Sequence, residues 1–243
     1  MSFYTEVDRV FATWNYNHPR ILHALLRSLK STSHVECGVY RGLSTAWAAK
    51  AMQENNVGRV YGIDSWSLTE HAHILNGKTP KQHAEENLTT LGVREWVTLL
   101  DGKSDEVVWP EIVTSAYLDS WHSHEVVAKE FALAEARGAY LIALDDTENC
   151  VGPRLFVEEN RKKYEKKGWD VADIHSDNGL TIFLKRQPRR LITFSQELPL
   201  PNPGVDLRPL SLEEQRAHFE EAEKATGLHY SSLYDQTQHD MPV

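Results

Sequence analysis

Five short apolar runs along this chain each carry an acid at or beside their end. "SHVECG" holds Glu36, "RVYGID" ends on Asp64, "WVTLLD" on Asp101, "SAYLD" on Asp119, and "AYLIALDD" on the pair Asp145–Asp146. Between them lie longer stretches with helical spacing, beginning with Pro19 to Leu29, where Ile21, Leu22, Leu25, Leu26 and Leu29 share one face. Strand and helix alternating this many times point to a doubly wound, mostly parallel α/β sheet. "AYLIAL" is almost wholly apolar, as a central strand covered by helices on both faces must be. Ligands of such sheets sit beyond the carboxyl ends of the strands. The acids therefore gather where a ligand would be held.

The remaining pattern fits this frame. Helices are expected from Leu43 to Met52, from Pro80 to Leu91, and after "SAYLD", where Val126, Val127, Phe131 and Ala134 form an apolar stripe and Glu125 pairs with Lys129 outside. Another starts at Pro153 and stops near Gly168. "WDVADI" and "LTIFLKR" read as an antiparallel pair joined through "HSDNG", whose Asn-Gly signals a turn. From 188 to 210 the chain carries five prolines and little periodicity. Residues 211–227 then read as a helix, with Ser211 and Glu214 as a capping box. The expected organisation is one domain over 1–187, with an N-terminal helical segment, and an appendage over 188–243 that is a candidate for homo-oligomer contacts.

Composition narrows the partners. A formal net charge of −9 disfavours a surface that tracks nucleic-acid phosphates. The basic run "RKKYEKK" follows Glu158 and Glu159 at helical spacing and supports a helix only. No run approaches the ~18–20 apolar residues of a membrane helix, and the N-terminus lacks the pattern of a secretory signal. Cys37 and Cys150 are too few for a disulfide framework and suit a reducing cytoplasm.

The turn after the first strand is the first chemical signal. Gly38 and Gly42 allow close backbone approach, and Ser44 and Thr45 offer hydroxyls and amides at a helix N-terminus. The dinucleotide pattern G-x-G-x-x-G is absent, and Glu36 suits a cationic or hydroxyl-bearing ligand better than a pyrophosphate. An ordinary βα turn is the plainer alternative. Asp64 is placed to accept hydrogen bonds from ribose hydroxyls. Asp119, Asp145 and Asp146 at adjacent strand tips would repel one another without a cation between them, and an all-oxygen set suits Mg²⁺. The alternative is that Asp146 caps a turn and Asp145 is solvated.

In order, "VECGVYRGLST", "VYGIDSW", "LLDGKSDEV", "AYLDSWHSHEVV" and "LIALDDT" resemble the motifs of class I S-adenosylmethionine-dependent methyltransferases. The likeness is to the metal-dependent subgroup containing the macrolide-sugar O-methyltransferases and the cephamycin-pathway protein once labelled a hydroxylase. It covers roughly residues 33–185. It implies that Glu36, Gly38 and Gly42 hold the methionine part of the cofactor and Asp64 the ribose, with Ser44 and Trp66 also among the cofactor-binding residues. Asp101, Gly102 and Ser104 border the adenine, and Asp119 lies beside the cofactor. Asp119, Asp145 and Asp146 are implied as the Mg²⁺ ligands. In "DSWHSHE" the family pattern D-G-D-H-S-Y-E matches at Asp119, His122, Ser123 and Glu125, which places His122 on the catalytic base. Ser120, Trp121 and His124 depart from it, and Trp121 suggests a flatter or more apolar acceptor. The expected activity is Mg²⁺-dependent O-methylation of a small hydroxylated molecule: a sugar, polyketide, catechol-like ring or peptide side chain. The alternatives are a non-haem iron oxygenase using Asp119 and His122, and a non-catalytic cofactor-binding partner subunit. The polar stretch 65–83 after the second strand carries His71, His73 and His83, which are read as lid or surface residues.

Overall fold

A computed structural model of the chain describes residues 2–11, 17–67, 77–176 and 178–186. The expected appendage, His71 and His73 lie outside the described residues. Two helices come first, α1 (Phe3–Phe11) and α2 (Asn17–Leu29), followed by β1 (Ser33–Cys37), α3 (Leu43–Asn55) and β2 (Arg59–Asp64). Next are α4 (Pro80–Thr90), a short 3₁₀ turn (Arg94–Trp96), β3 (Val97–Asp101) and β4 (Ser115–Leu118). The set closes with α5 (His124–Ala136), β5 (Leu141–Leu144), α6 (Val151–Lys166), β6 (Trp169–Ile174) and β7 (Leu180–Lys185).

The strands form one seven-stranded sheet in the order β3-β2-β1-β4-β5-β7-β6. β1 to β5 pair in parallel, and β7 lies antiparallel between β5 and β6. The Rossmann-like reading of the sequence holds, including the antiparallel final pair. The order reverses between β1 and β4, and this is the crevice where such a sheet binds its ligand. One core cluster, around Trp47 and Tyr117, takes in α1, α2 and α3. The other, around Phe131, Phe183 and Trp169, lies under α5 and α6.

Among the differences from the sequence reading, three have a plain physical cause. α1 was not expected as a separate helix; it forms because Val7 and Phe11 are buried in the core. α6 starts at Val151, two residues before Pro153, which leaves the proline in the first turn where its missing N–H costs nothing. β3 begins at Val97, because Trp96 is taken up by the preceding 3₁₀ turn.

Candidate active site

Glu36 lies in β1 and is fully buried. Its Oε1 accepts a hydrogen bond from the Ser44 hydroxyl at the start of α3, while Oε2 is buried with no partner. Burial pushes the carboxyl up to about 7, against the Ser44 hydrogen bond and with some repulsion from Asp64. A buried carboxylate oxygen left unsatisfied is costly. It is the atom that an ammonium group, such as that of the cofactor's methionine part, would satisfy.

Two glycines frame this carboxylate for different reasons. Gly38 has φ +90°, and a Cβ there would collide with the backbone carbonyl of Asp119. Its small size thus lets the ends of β1 and β4 close together, where Asp119 N–H also donates to the Cys37 carbonyl at 2.9 Å. Gly42, the N-cap of α3, is left-handed with φ 83°, and only conformation demands glycine there.

Asp64 at the tip of β2 is engaged by the chain itself. Its Oδ2 accepts from the amides of Val39 (2.9 Å) and Tyr40 (2.8 Å), and its Oδ1 from the Trp66 amide (2.6 Å). The carboxylate therefore pins the β1–α3 turn, with lone pairs remaining for hydroxyls. On the next strand Asp101 accepts from the Trp66 indole (2.8 Å) and the Lys81 ammonium (2.6 Å). The Lys81 hydrogen bond holds the Asp101 carboxyl below the usual carboxylate range. Gly102 N–H donates to the Asp64 carbonyl at 3.0 Å, joining the two loops. Ser104 is buried, and its hydroxyl donates inward to Glu130 of α5, as does that of Ser120. Burial lifts Glu130 to about 6. Glu130 thus ties the loop after β3 to the loop after β4.

The third group lies beyond β4 and β5. His122 Nε2 is 3.4 Å from Asp119 Oδ1 and 3.4 Å from Asp146 Oδ2, between the two carboxylates. Asp119 is raised well above the usual carboxylate range by burial and by repulsion from Asp145, and Asp146 is raised by the same two causes. The hydrogen bond to Asp119 raises His122. Asp146 Oδ1 is buried without a partner. Asp145 faces other groups: Oδ1 meets His18 Nδ1 at 2.6 Å and Oδ2 accepts from the Tyr117 hydroxyl at 2.5 Å. The ligand atoms of Asp119, Asp145 and Asp146 do not all come within 4.8 Å of one another, whereas those of His122, Asp146 and Cys150 do. A cation fits this end of the site on one observation, the orphaned Asp146 oxygen among raised carboxylates. Asp119 and Asp146 would hold it, with Asp145 fixed behind them by His18 and Tyr117.

Ser123 caps α5 through the Val126 amide. Glu125 pairs with Lys129 on the outside at 3.0 Å. His124 turns away to Glu159 of α6 at 2.9 Å. His83 lies on α4, away from a loop position. Trp121 is 73% exposed on the loop that carries His122.

Sequence reasoning missed His18, Tyr117, Ser176 and Glu130. His18 bridges Asp145 and, through Nε2, the Ser176 hydroxyl at 2.5 Å. No local pattern links residues 18, 145 and 176. Glu130 was readable, because it falls at helical spacing between Val127 and Ala134 on the apolar stripe.

Residues 35–146 match the model of a family described as a methyltransferase domain. No curated protein matches the chain. Among solved structures, the fold is shared with the O-methyltransferase TomG from Streptomyces achromogenes, involved in tomaymycin synthesis and solved in complex with SAM. Identity there is 16% and the TM-score 0.54, over 76% of this chain and 89% of that one. It is also shared with the SAH-bound methyltransferase PaMTH1 of Podospora anserina, at 11% identity and TM-score 0.56, over 76% and 88%. An O-methyltransferase from Bacillus cereus in complex with SAH gives 15% and 0.52, over 74% and 91%. At these identities the likeness is one of fold. No helix among the described residues is long and apolar enough to cross a membrane.

Proposed function

We propose that this chain, an S-adenosylmethionine-dependent methyltransferase of class I by the domain at residues 35–146, methylates a hydroxyl of a small molecule with the help of a hard divalent cation. The observation that carries this reading is the position of His122, with Nε2 3.4 Å from carboxylates on two adjacent strand ends. Oxygen acceptors need both a base and a means of lowering the hydroxyl pKa.

Each residue then has a task. Glu36 takes the cofactor's ammonium on its free oxygen, Asp64 holds the ribose side, and Ser44 keeps Glu36 in place. S-adenosylmethionine supplies the methyl group on a sulfonium. Asp119 and Asp146 would hold a divalent ion, whose Lewis acidity would make the acceptor hydroxyl easier to ionise. His122 accepts the hydroxyl proton at Nε2. While Asp119 and Asp146 both keep their charge unneutralised, they favour the protonated imidazole and hinder that uptake. His18 and Tyr117 hold Asp145 still, as hydrogen bonds behind a ligand set do. The exposed Trp121 beside His122 favours a planar or apolar acceptor. The family match leaves the iron-oxygenase alternative without support.

The test is methyl transfer from labelled cofactor to hydroxylated aromatics, sugars and polyketides, in Mg²⁺ and in EDTA. Transfer should vanish in EDTA and return with Mg²⁺, while the circular dichroism of the chain stays unchanged, because the core does not depend on the ion. Asp146→Asn should reproduce the chelated state with Mg²⁺ present. Undiminished transfer in chelator would remove the cation from this reading, and transfer confined to nitrogen acceptors would remove the hydroxyl.

A further inference from the structure

We infer that His122, Asp146 and Cys150 form a binding site for a thiolate-tolerant divalent ion of the zinc class, overlapping the proposed base. Their ligand atoms all lie within 4.8 Å of one another, the one such group of histidine, cysteine and carboxylate donors among the described residues. His122 Nε2 stands 3.4 Å from Asp146 Oδ2, and Cys150 Sγ 3.8 Å from the same oxygen. Zinc bonds of about 2.0 Å to nitrogen or oxygen and about 2.3 Å to sulfur give tetrahedral edges of roughly 3.3 Å between nitrogen and oxygen donors and roughly 3.5 Å from either to sulfur. The His122–Asp146 separation matches such an edge, and Cys150 Sγ at 3.8 Å from Asp146 Oδ2 needs to close by only a few tenths of an ångström.

Backbone contacts hold the three donors in place. The Cys150 amide donates to the Asp146 carbonyl at 2.9 Å, which fixes the thiol over the carboxylate four residues earlier. Gly152, in the first turn of α6, packs against the backbone of His122, Ser123 and His124 so closely that any Cβ would collide with it. The helix that starts after Cys150 and the loop that carries His122 are therefore locked together. The Cys150 side chain makes no capping hydrogen bond to α6, and the buried Oδ1 of Asp146 has no partner. The fourth position is left to water, because Asp119, 3.4 Å from His122 Nε2, does not come within 4.8 Å of all three donors.

The chemistry of the donors selects the ion. A set of imidazole, carboxylate and thiolate suits Zn²⁺ or Co²⁺, whereas Mg²⁺ prefers oxygen throughout. On binding, the thiol gives its proton to solvent and the imidazole lone pair goes to the metal. His122 can then no longer accept a proton from a substrate. If the methyl-transfer reading holds, Zn²⁺ is an inhibitor that competes with the Mg²⁺-supported reaction.

Direct binding decides the site without any activity. The full chain, stripped of metal, is titrated with Co²⁺ alone and followed by absorption. A thiolate-to-cobalt charge-transfer band should rise to one equivalent, and Zn²⁺ should displace it. Cys150→Ser should lose the band and weaken Zn²⁺ binding at least tenfold, measured against a chromophoric chelator. His122→Ala should weaken it likewise, whereas Cys37→Ala should keep the band. Absence of the band, or its persistence in Cys150→Ser, overturns the site. The second arm adds Zn²⁺ to a methyl-transfer assay. Zinc that binds with the cobalt signature and leaves transfer untouched would overturn the inhibition and the base role of His122 while sparing the site.

Discussion

His122→Ala is expected to lose roughly 10² to 10⁴ in turnover, the range for removing a general base, which corresponds to about 3 to 5 kcal/mol of transition-state stabilisation. Cofactor affinity should not change, because Glu36 and Asp64 lie on the other side of the switch point, on β1 and β2. The variant should also fold normally, because His122 is about one-third exposed and lies on a loop outside the two core clusters. His124 is the internal control. It sits two residues on, in the first turn of α5, and is paired with Glu159 at 2.9 Å at the surface. His124→Ala should turn over at the native rate. An inactive His124→Ala beside a normal His122→Ala would mean that the base lies elsewhere, and the acceptor side of the site would have to be redrawn. Single-turnover kinetics at saturating cofactor separates the chemical step from binding.

Glu36→Gln should act on affinity and stability in opposite directions. In the free protein Glu36 titrates at about 7 because burial penalises its charge, against 4.5 for an unperturbed glutamate. Between those values the folded chain holds a proton that the unfolded chain has released. Stability from this group is therefore lost as pH rises from 4.5 through 7, by on the order of 3 kcal/mol in total. Glutamine carries no such charge, so the variant should gain on the parent as pH rises from about 4.5 to about 7, and the difference should level above that. The same charge is what an ammonium needs. Cofactor affinity of the parent should rise with pH up to about 7 and then level, while the variant should be weaker at pH 8 by about 1.5 to 3 kcal/mol, the usual worth of a hydrogen bond to a charged group. Urea melts and calorimetry across this range measure both. A stability difference that does not change with pH would show that Glu36 is not a buried titrating acid. An unchanged affinity would remove it from the cofactor's ammonium.

The chain's local pattern was enough to determine the layers and the edge at which the strand-end acids gather. Apolar runs of strand length alternating with amphipathic helices dictate a parallel sheet, since each face must be covered. The acids at or near the strand ends then come to one edge, because parallel strands carry their carboxyl ends to the same side. This is why Glu36, Asp64, Asp101, Asp119 and Asp146 could be named from spacing alone. Glu130, on α5 and not at a strand end, was legible as an acid on a buried stripe.

Tertiary structure alone decided the partners. His18 reaches Asp145 across 127 residues and Ser176 across 158, contacts that depend on α2 docking beside the ends of β5 and β6. Asp145 and Asp146 are adjacent in sequence, yet one faces His18 and Tyr117 and the other His122 and Cys150. The separation follows from φ +56° at Asp146, a left-handed turn that sends the two carboxylates in different directions. Gly38 looked like a space for a ligand and proved to be a space for the Asp119 carbonyl. Cys150 was informative in the sequence only about redox environment, and the four-residue turn from Asp146 brings its thiol to 3.8 Å from that carboxylate. Short-range pattern tells which residues share a strand end; side-chain direction is set by backbone dihedrals and by helices packed from distant parts of the chain.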